Sequence, residues 1–107
     1  MATTITVLYE NVEDATFDLD YYMAKHMPLV DAKFKPFGMK GWRVLKAVGT
    51  PSGDKPAYNI IANLEFDSAD QFKSAVAAES GPVFGDIPNF SNKSPVVVIS
   101  DLVGSAS

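Results

Sequence analysis

Along the first ten residues apolar and polar positions alternate. Ile5, Val7 and Tyr9 fall on one face of Thr3 to Glu10, and Thr4, Thr6 and Leu8 on the other, the period-two signature of a strand. The period then changes. Asp18 is a suitable N-cap, and Phe17 and Tyr22 have the spacing of a hydrophobic staple around it. Leu19, Met23, His26, Val30 and Phe37 recur at helical spacing, with Tyr22, Met27 and Phe34 flanking them. Pro28 interrupts this pattern. It has no N–H to give and crowds the carbonyl one turn back, so a kink or break is expected there. Gly38 is a suitable stop.

Gly41 to Val48 reads as a second strand, with Trp42, Val44 and Val48 on one face. The stretch from Gly49 to Pro56 is dense in turn formers and predicts a hairpin loop. The third strand, Tyr58 to Phe66, is the clearest. Tyr58, Ile60, Ala62, Leu64 and Phe66 make one apolar face, and Asn59, Ile61, Asn63 and Glu65 make the other. A second helix opens at Asp67 or Ser68, where Ser68 and Gln71 have capping-box spacing. Phe72, Ala75 and Val76 form its apolar stripe, and it should fade near Gly81-Pro82. Gly81 to Ser94 is then a long connection, whose Phe84, Ile87 and Phe90 should pack onto the body of the domain. Val96 to Leu102 is the last strand.

The order is β-α-β-β-α-β, the split βαβ arrangement of ferredoxin-like α+β domains, with an antiparallel sheet covered on one side by both helices. The other side should carry Leu8, Ile61 and Val97 or Ile99 among Thr6, Asn63 and Glu65. A half-apolar open face on a small chain favours burial against a second copy, so a homodimer is expected. In it, Asn59, Asn63 and Glu65 would make interface hydrogen bonds.

Composition narrows the function classes. The 107 residues suit one domain, 1–107, with about 103–107 as a flexible tail. Apolar residues make up 47% and charged residues 21%, as in ordinary globular chains. The formal net charge of −4 and nine scattered Lys and Arg residues argue against nucleic acid, which needs clustered cations. The absence of cysteine excludes disulfides, thiolate metal sites and a Cys nucleophile. Met1-Ala2-Thr3-Thr4 lacks the features of a signal peptide, and no apolar run reaches the length of a membrane span. A soluble cytoplasmic protein is expected.

Three stretches carry a family resemblance. They are Phe17 to Val30, with Tyr21-Tyr22 leading into His26-Met27-Pro28-Leu29; Phe37-Gly38-Met39-Lys40-Gly41-Trp42; and Gly85-Asp86-Ile87-Pro88-Asn89-Phe90. In that order they resemble the EthD family, whose mark is a tyrosine-rich helix start running into His-x-Pro-Leu. The resemblance implies a dimeric α+β barrel, in which two sheets face each other across a two-fold axis. The family takes its name from bacterial degradation of ethyl tert-butyl ether, where it accompanies an oxygenase system. Barrel relatives include cofactor-free monooxygenases, cyclases, lactone isomerases and haem-degrading enzymes, so function does not follow from the fold.

His26 is the only histidine and matches the family's motif. Imidazole titrates near neutral pH and would serve as a general acid or base. Alternatively, it would complete the fold by donating to a carbonyl freed near Pro28. Tyr22, Trp42 and Tyr9 are the candidate substrate-binding residues, each offering an apolar body with one polar tip. A single histidine among scattered carboxylates is too sparse for a metal site, and no cofactor is expected. Haem enters only through the barrel relatives, with His26 as the candidate ligand. The leading expectation is a cofactor-independent oxidation, cyclisation or isomerisation of an apolar small molecule. The alternative is a non-catalytic binding protein or an accessory to an oxygenase system.

Overall fold

The computed structural model describes residues 2–106; Met1 of the N-terminal stretch and Ser107 of the tail lie outside the described residues. The strands are β1 (Thr3–Glu10), β2 (Gly41–Lys46), β3 (Tyr58–Phe66) and β4 (Val96–Asp101). They form one antiparallel sheet in the order β2-β3-β1-β4. The helices α1 (Leu19–Tyr21), α2 (Met27–Phe34) and α3 (Ala69–Gly85) provide the covering layer. This is the expected ferredoxin-like α+β arrangement.

The alternation in β1 and β3 decides which side faces the helices. Ile5, Tyr9, Ile60, Ala62, Leu64 and Phe66 are all buried there. Phe34 from α2 and Phe72 from α3 meet Phe66 with ring centroids 6.4 and 5.7 Å away, so one aromatic cluster pins both helices to the sheet. The Asp18 carboxylate accepts from the Tyr21 N–H at 3.0 Å, and the Phe17 and Tyr22 rings lie 5.0 Å apart, completing cap and staple. At α3 the Ser68 hydroxyl accepts from the Gln71 N–H at 3.3 Å, while the Gln71 side chain reaches back to the Asp67 N–H at 2.9 Å.

Five expectations need correction. Pro28 does not break the helix. Tyr22–His26 form a π-helical turn just before it, in which the Met27 N–H bonds the Tyr22 carbonyl. The wider turn takes up the register disturbed by the missing proline donor, and α2 continues to Phe34. The second helix does not fade at Pro82. It bends at Glu79, whose φ and ψ of −126° and 16° are non-helical, and then runs on to Gly85. The bend falls near the carbonyl that Pro82 leaves without a partner. The expected long connection is therefore mostly helix, completed by a 3-10 turn at Ile87–Asn89.

Strand β2 ends at Lys46, and Val48 is 96% exposed instead of sharing the face of Trp42 and Val44. The β1–β4 register pairs Leu8 with Val96 and Thr6 with Val98. Directly paired residues share a face, so Val96 and Val98 lie on the open side, and Val97 and Ile99 turn towards the helices. Also on the open side, the Thr4 hydroxyl donates to Glu65 at 2.9 Å and the Thr6 hydroxyl to Asn63 at 3.4 Å.

Candidate active site

His26 closes the π turn and is buried, at 5% exposure. Its ring stacks on Tyr22, four residues earlier, at 5.2 Å and 20°, and leans on Phe90 at 4.5 Å. The partner of its Nδ1 is the carboxylate of Asp86, at 3.0 Å. Asp86 terminates α3 and opens the 3-10 turn. Its other oxygen accepts from the Tyr21 hydroxyl at 2.7 Å and the Asn89 amide at 2.9 Å.

Backbone pairing holds this geometry in place. The Asp18 N–H donates to the Phe90 carbonyl at 2.8 Å, and Phe17 bridges Ser91. The start of the first helix and the end of the second are thus zipped together, bringing Tyr21 and His26 onto Asp86.

The ionisation states follow from the donors and acceptors. Burial raises the Asp86 carboxyl, but hydrogen bonds from Asn89, Tyr21 and His26 outweigh it and hold the group below the usual carboxylate range. Asp86 is therefore ionised and can only accept. The imidazole must carry its proton on Nδ1. Burial lowers the His26 pKa below 6.5, against the opposing pull of Asp86, so the ring is neutral near pH 7. That combination leaves an unprotonated lone pair on Nε2.

Nε2 makes no hydrogen bond with the described residues. No buried side-chain nitrogen or oxygen among them lacks a partner, so Nε2 keeps accessible surface. His26 also lines a cavity of about 30 Å³ between helices and sheet, room for a water molecule or two. Met27, Val30, Leu64, Phe72 and Val97 supply apolar wall, and Tyr9 and Tyr22 also line the cavity. Phe84, 37% exposed, borders the cavity on the α3 side, where a larger molecule would have to displace it. A broader depression over Thr16–Asp20 and Pro88–Asn92 is open to solvent, and His26 does not line it.

Of the residues singled out from the sequence, His26, Tyr22 and Tyr9 come together at this cavity. Trp42 does not line it. It lies on the edge strand β2, paired with Leu64 and half-buried against the core. The alternative carbonyl partner for His26 is not the one formed. Asp86, Tyr21 and Asn89 went unassigned, although Asp86 and Asn89 stand in the third motif. Among the described residues, no group of three or more His, Asp and Glu side chains could hold a metal ion.

The fold and the buried His–Asp pair define the class: a ferredoxin-like α+β protein with a histidine site between helices and sheet. The chain superposes on an EthD-like protein from Ralstonia eutropha JMP134 with a TM-score of 0.88 and 33% identity, covering 99% of this chain and 96% of that one. It belongs to the EthD-like family. An EthD family protein from Bacillus halodurans C-125 shares the fold at a TM-score of 0.75 and 22% identity, over 96% and 100% of the two chains. So does a protein of unknown function from Bacteroides fragilis NCTC 9343, described as dimeric and ferredoxin-like, at 0.57 and 15%, over 94% and 95%. No family model matches the sequence. No curated protein matches it either.

Proposed function

We propose that the protein is a cofactor-independent proton-transfer catalyst, with His26 as general base on an apolar, oxygen-bearing small molecule. One observation carries this reading. The Nδ1–H is committed to a carboxylate, while Nε2 bonds none of the described residues and the ring lines an apolar cavity. Storage of a hydrophobic metabolite, or service as an oxygenase accessory, would need the apolar walls but not a base of fixed tautomer. A histidine kept only for folding would have no reason to leave one nitrogen open.

Because the chain has one histidine, its imidazole nitrogens can be followed by 15N NMR without assignment. At pH 7 the expected pattern is a protonated Nδ1 and an unprotonated Nε2, with a titration midpoint below that of a free imidazole. A proton found on Nε2, or a raised midpoint, would remove the base from the cavity and end the proposal.

The working unit in this reading is a homodimer. Leu45, Val96 and Val98 of the open face are 45%, 39% and 43% exposed, and β4 presents an unpaired edge. A second copy would cover this surface. The dimeric relative from Bacteroides fragilis supports the arrangement. No described helix is long and apolar enough to cross a membrane. Light scattering at micromolar concentration should return twice the chain mass, and a monomer at all concentrations would refute this part.

A further inference from the structure

We infer that the molecule His26 acts on is a neutral, enolisable carbonyl compound whose oxygen is held by the hydroxyls of Tyr22 and Tyr9. The inference rests on the base role of His26 and on displacement of Phe84, which borders a cavity now sized for a water or two, and it adds the substrate class.

The residues lining the cavity include no Lys or Arg, so an anionic substrate would be desolvated without a counter-charge. They include no Ser, Thr or Cys, so no nucleophile faces the bound molecule. What remains beside the base is a pair of phenols. His26, Tyr22 and Tyr9 follow one another as ring neighbours, with centroids 5.2 and 5.9 Å apart. Tyr22 and Tyr9 are 2% and 4% exposed, yet neither hydroxyl bonds to the described residues and neither is sealed off. Two O–H groups without a partner among the described residues, on rings that line an apolar cavity, suit an oxygen atom of a ligand.

Burial drives the acidity of both phenols down, further for Tyr9 because Tyr22 is close. They therefore stay protonated and donate, where an ionised phenol would only accept. The lining residues carry one acceptor of protons and two donors of hydrogen bonds. That set complements a carbonyl compound losing a proton from the carbon beside the carbonyl.

The step balances without any co-reactant. The Nε2 lone pair takes the α-proton. The electrons of the broken C–H bond form the C=C bond, and the carbonyl π pair moves onto oxygen. The resulting enolate oxygen accepts from Tyr22 and Tyr9, where charge develops during the step. The Asp86 carboxylate steadies the imidazolium. Nε2–H then returns the proton to the same carbon or to a conjugated one, giving exchange or isomerisation. Nothing is oxidised or reduced.

The test is solvent-deuterium exchange in D2O, followed by proton NMR, with cyclohexanone and 2-tetralone as neutral probes and levulinate as an anionic one. The full chain should exchange the α-protons of at least one neutral ketone faster than buffer with equimolar imidazole, and levulinate no faster. His26→Gln should fall to the buffer rate. Tyr22→Phe, which keeps the ring packing, should slow exchange by about 100-fold, the usual effect of losing one donor to a developing oxyanion. Tyr9→Phe should slow it by about 10-fold or more on the same grounds.

Exchange lost in His26→Gln but unchanged in both Phe variants would overturn the oxygen-holding role and leave the base standing. No exchange of either neutral ketone, with the imidazole pattern as expected, would overturn the substrate class alone. Faster exchange of levulinate would overturn the requirement for a neutral molecule.

Discussion

Asp86→Asn is expected to leave the fold in place, move the imidazole proton of His26 from Nδ1 to Nε2, and slow proton transfer by about 10²- to 10⁴-fold, the range supplied by a general base. The reason lies in how the two carboxylate oxygens divide their work. One accepts from Tyr21 and Asn89, and the other from His26. An asparagine of the same shape can keep its oxygen where Tyr21 and Asn89 donate. Its NH2 then stands opposite Nδ1, and a donor facing a donor is not tolerated. The ring responds by giving up the Nδ1 proton and accepting from the amide.

Nε2 then carries the proton and has no lone pair for the cavity. The stability cost should stay within about 1–3 kcal/mol, because every buried partner is still paired after the tautomer changes. The 15N shifts of His26 report the tautomer, and the deuterium-exchange assay reports the rate. An Nδ1 that remains protonated in the variant, or a rate equal to that of the native chain, would sink the argument.

The second large effect is alkaline. Above pH 10 the fold should lose roughly 2.7 kcal/mol of stability per pH unit from Tyr9 and Tyr22 together, at about 1.36 kcal/mol for each group that ionises only when unfolded. Burial raises both phenols above the ordinary value of 10.0, and the proximity of Tyr22 adds to the rise at Tyr9. In the unfolded chain both ionise near pH 10. In the folded chain they stay protonated, so the unfolded state binds fewer protons. The stabilising contribution is complete below pH 10 and shrinks as the pH climbs towards the folded values. Against a typical total of about 5–15 kcal/mol, a few pH units suffice to unfold the domain.

His26 and Asp86 act in the opposite direction. Both have folded pKa values below the ordinary ones. Their contributions are complete above about 6.5 and 3.8 respectively, and fade as the pH falls below each. Urea midpoints measured from pH 4 to 12 should trace a plateau with both limbs. Tyr22→Phe should roughly halve the alkaline slope, with the remainder resting on Tyr9. An alkaline limb unchanged in both Tyr22→Phe and Tyr9→Phe would show that other groups cause it.

Much of the fold was legible because it rests on local rules. The alternation in Thr3–Glu10 and Tyr58–Phe66 decided both strands and their buried sides, and the Asp18 and Ser68 caps located both helix starts. Two of the errors fell where proline disturbs a helix. A missing N–H can be absorbed by a kink, a break or a wider turn, and nothing local chooses among them. At Pro28 the packing of Tyr22 and His26 against Phe90 accompanies the wider turn. At Pro82 a bend at Glu79 carries the helix on to the residue that meets His26.

The candidate site divides in the same way. His26 and its tyrosines stood out by residue type, by helical spacing and by a motif. Asp86 did not, since a carboxylate sixty positions away carries no mark of its partner. Its neighbours in space, Tyr21 and Asn89, gain their roles only because Phe90 and Ser91 pair with the chain ahead of the first helix. Trp42 has the right chemistry and the right side of the sheet, yet an edge strand keeps it from the cavity.

The amino-acid order by itself therefore determined the βαββαβ arrangement, the buried faces of β1 and β3 and the histidine, because period, capping and turn chemistry act between near neighbours. Only the tertiary structure decided the tautomer of that histidine, the carboxylate that sets it and the phenols that share its cavity. Those depend on contacts between distant segments, whose energies have no expression along the chain until the sheet and helices close on one another.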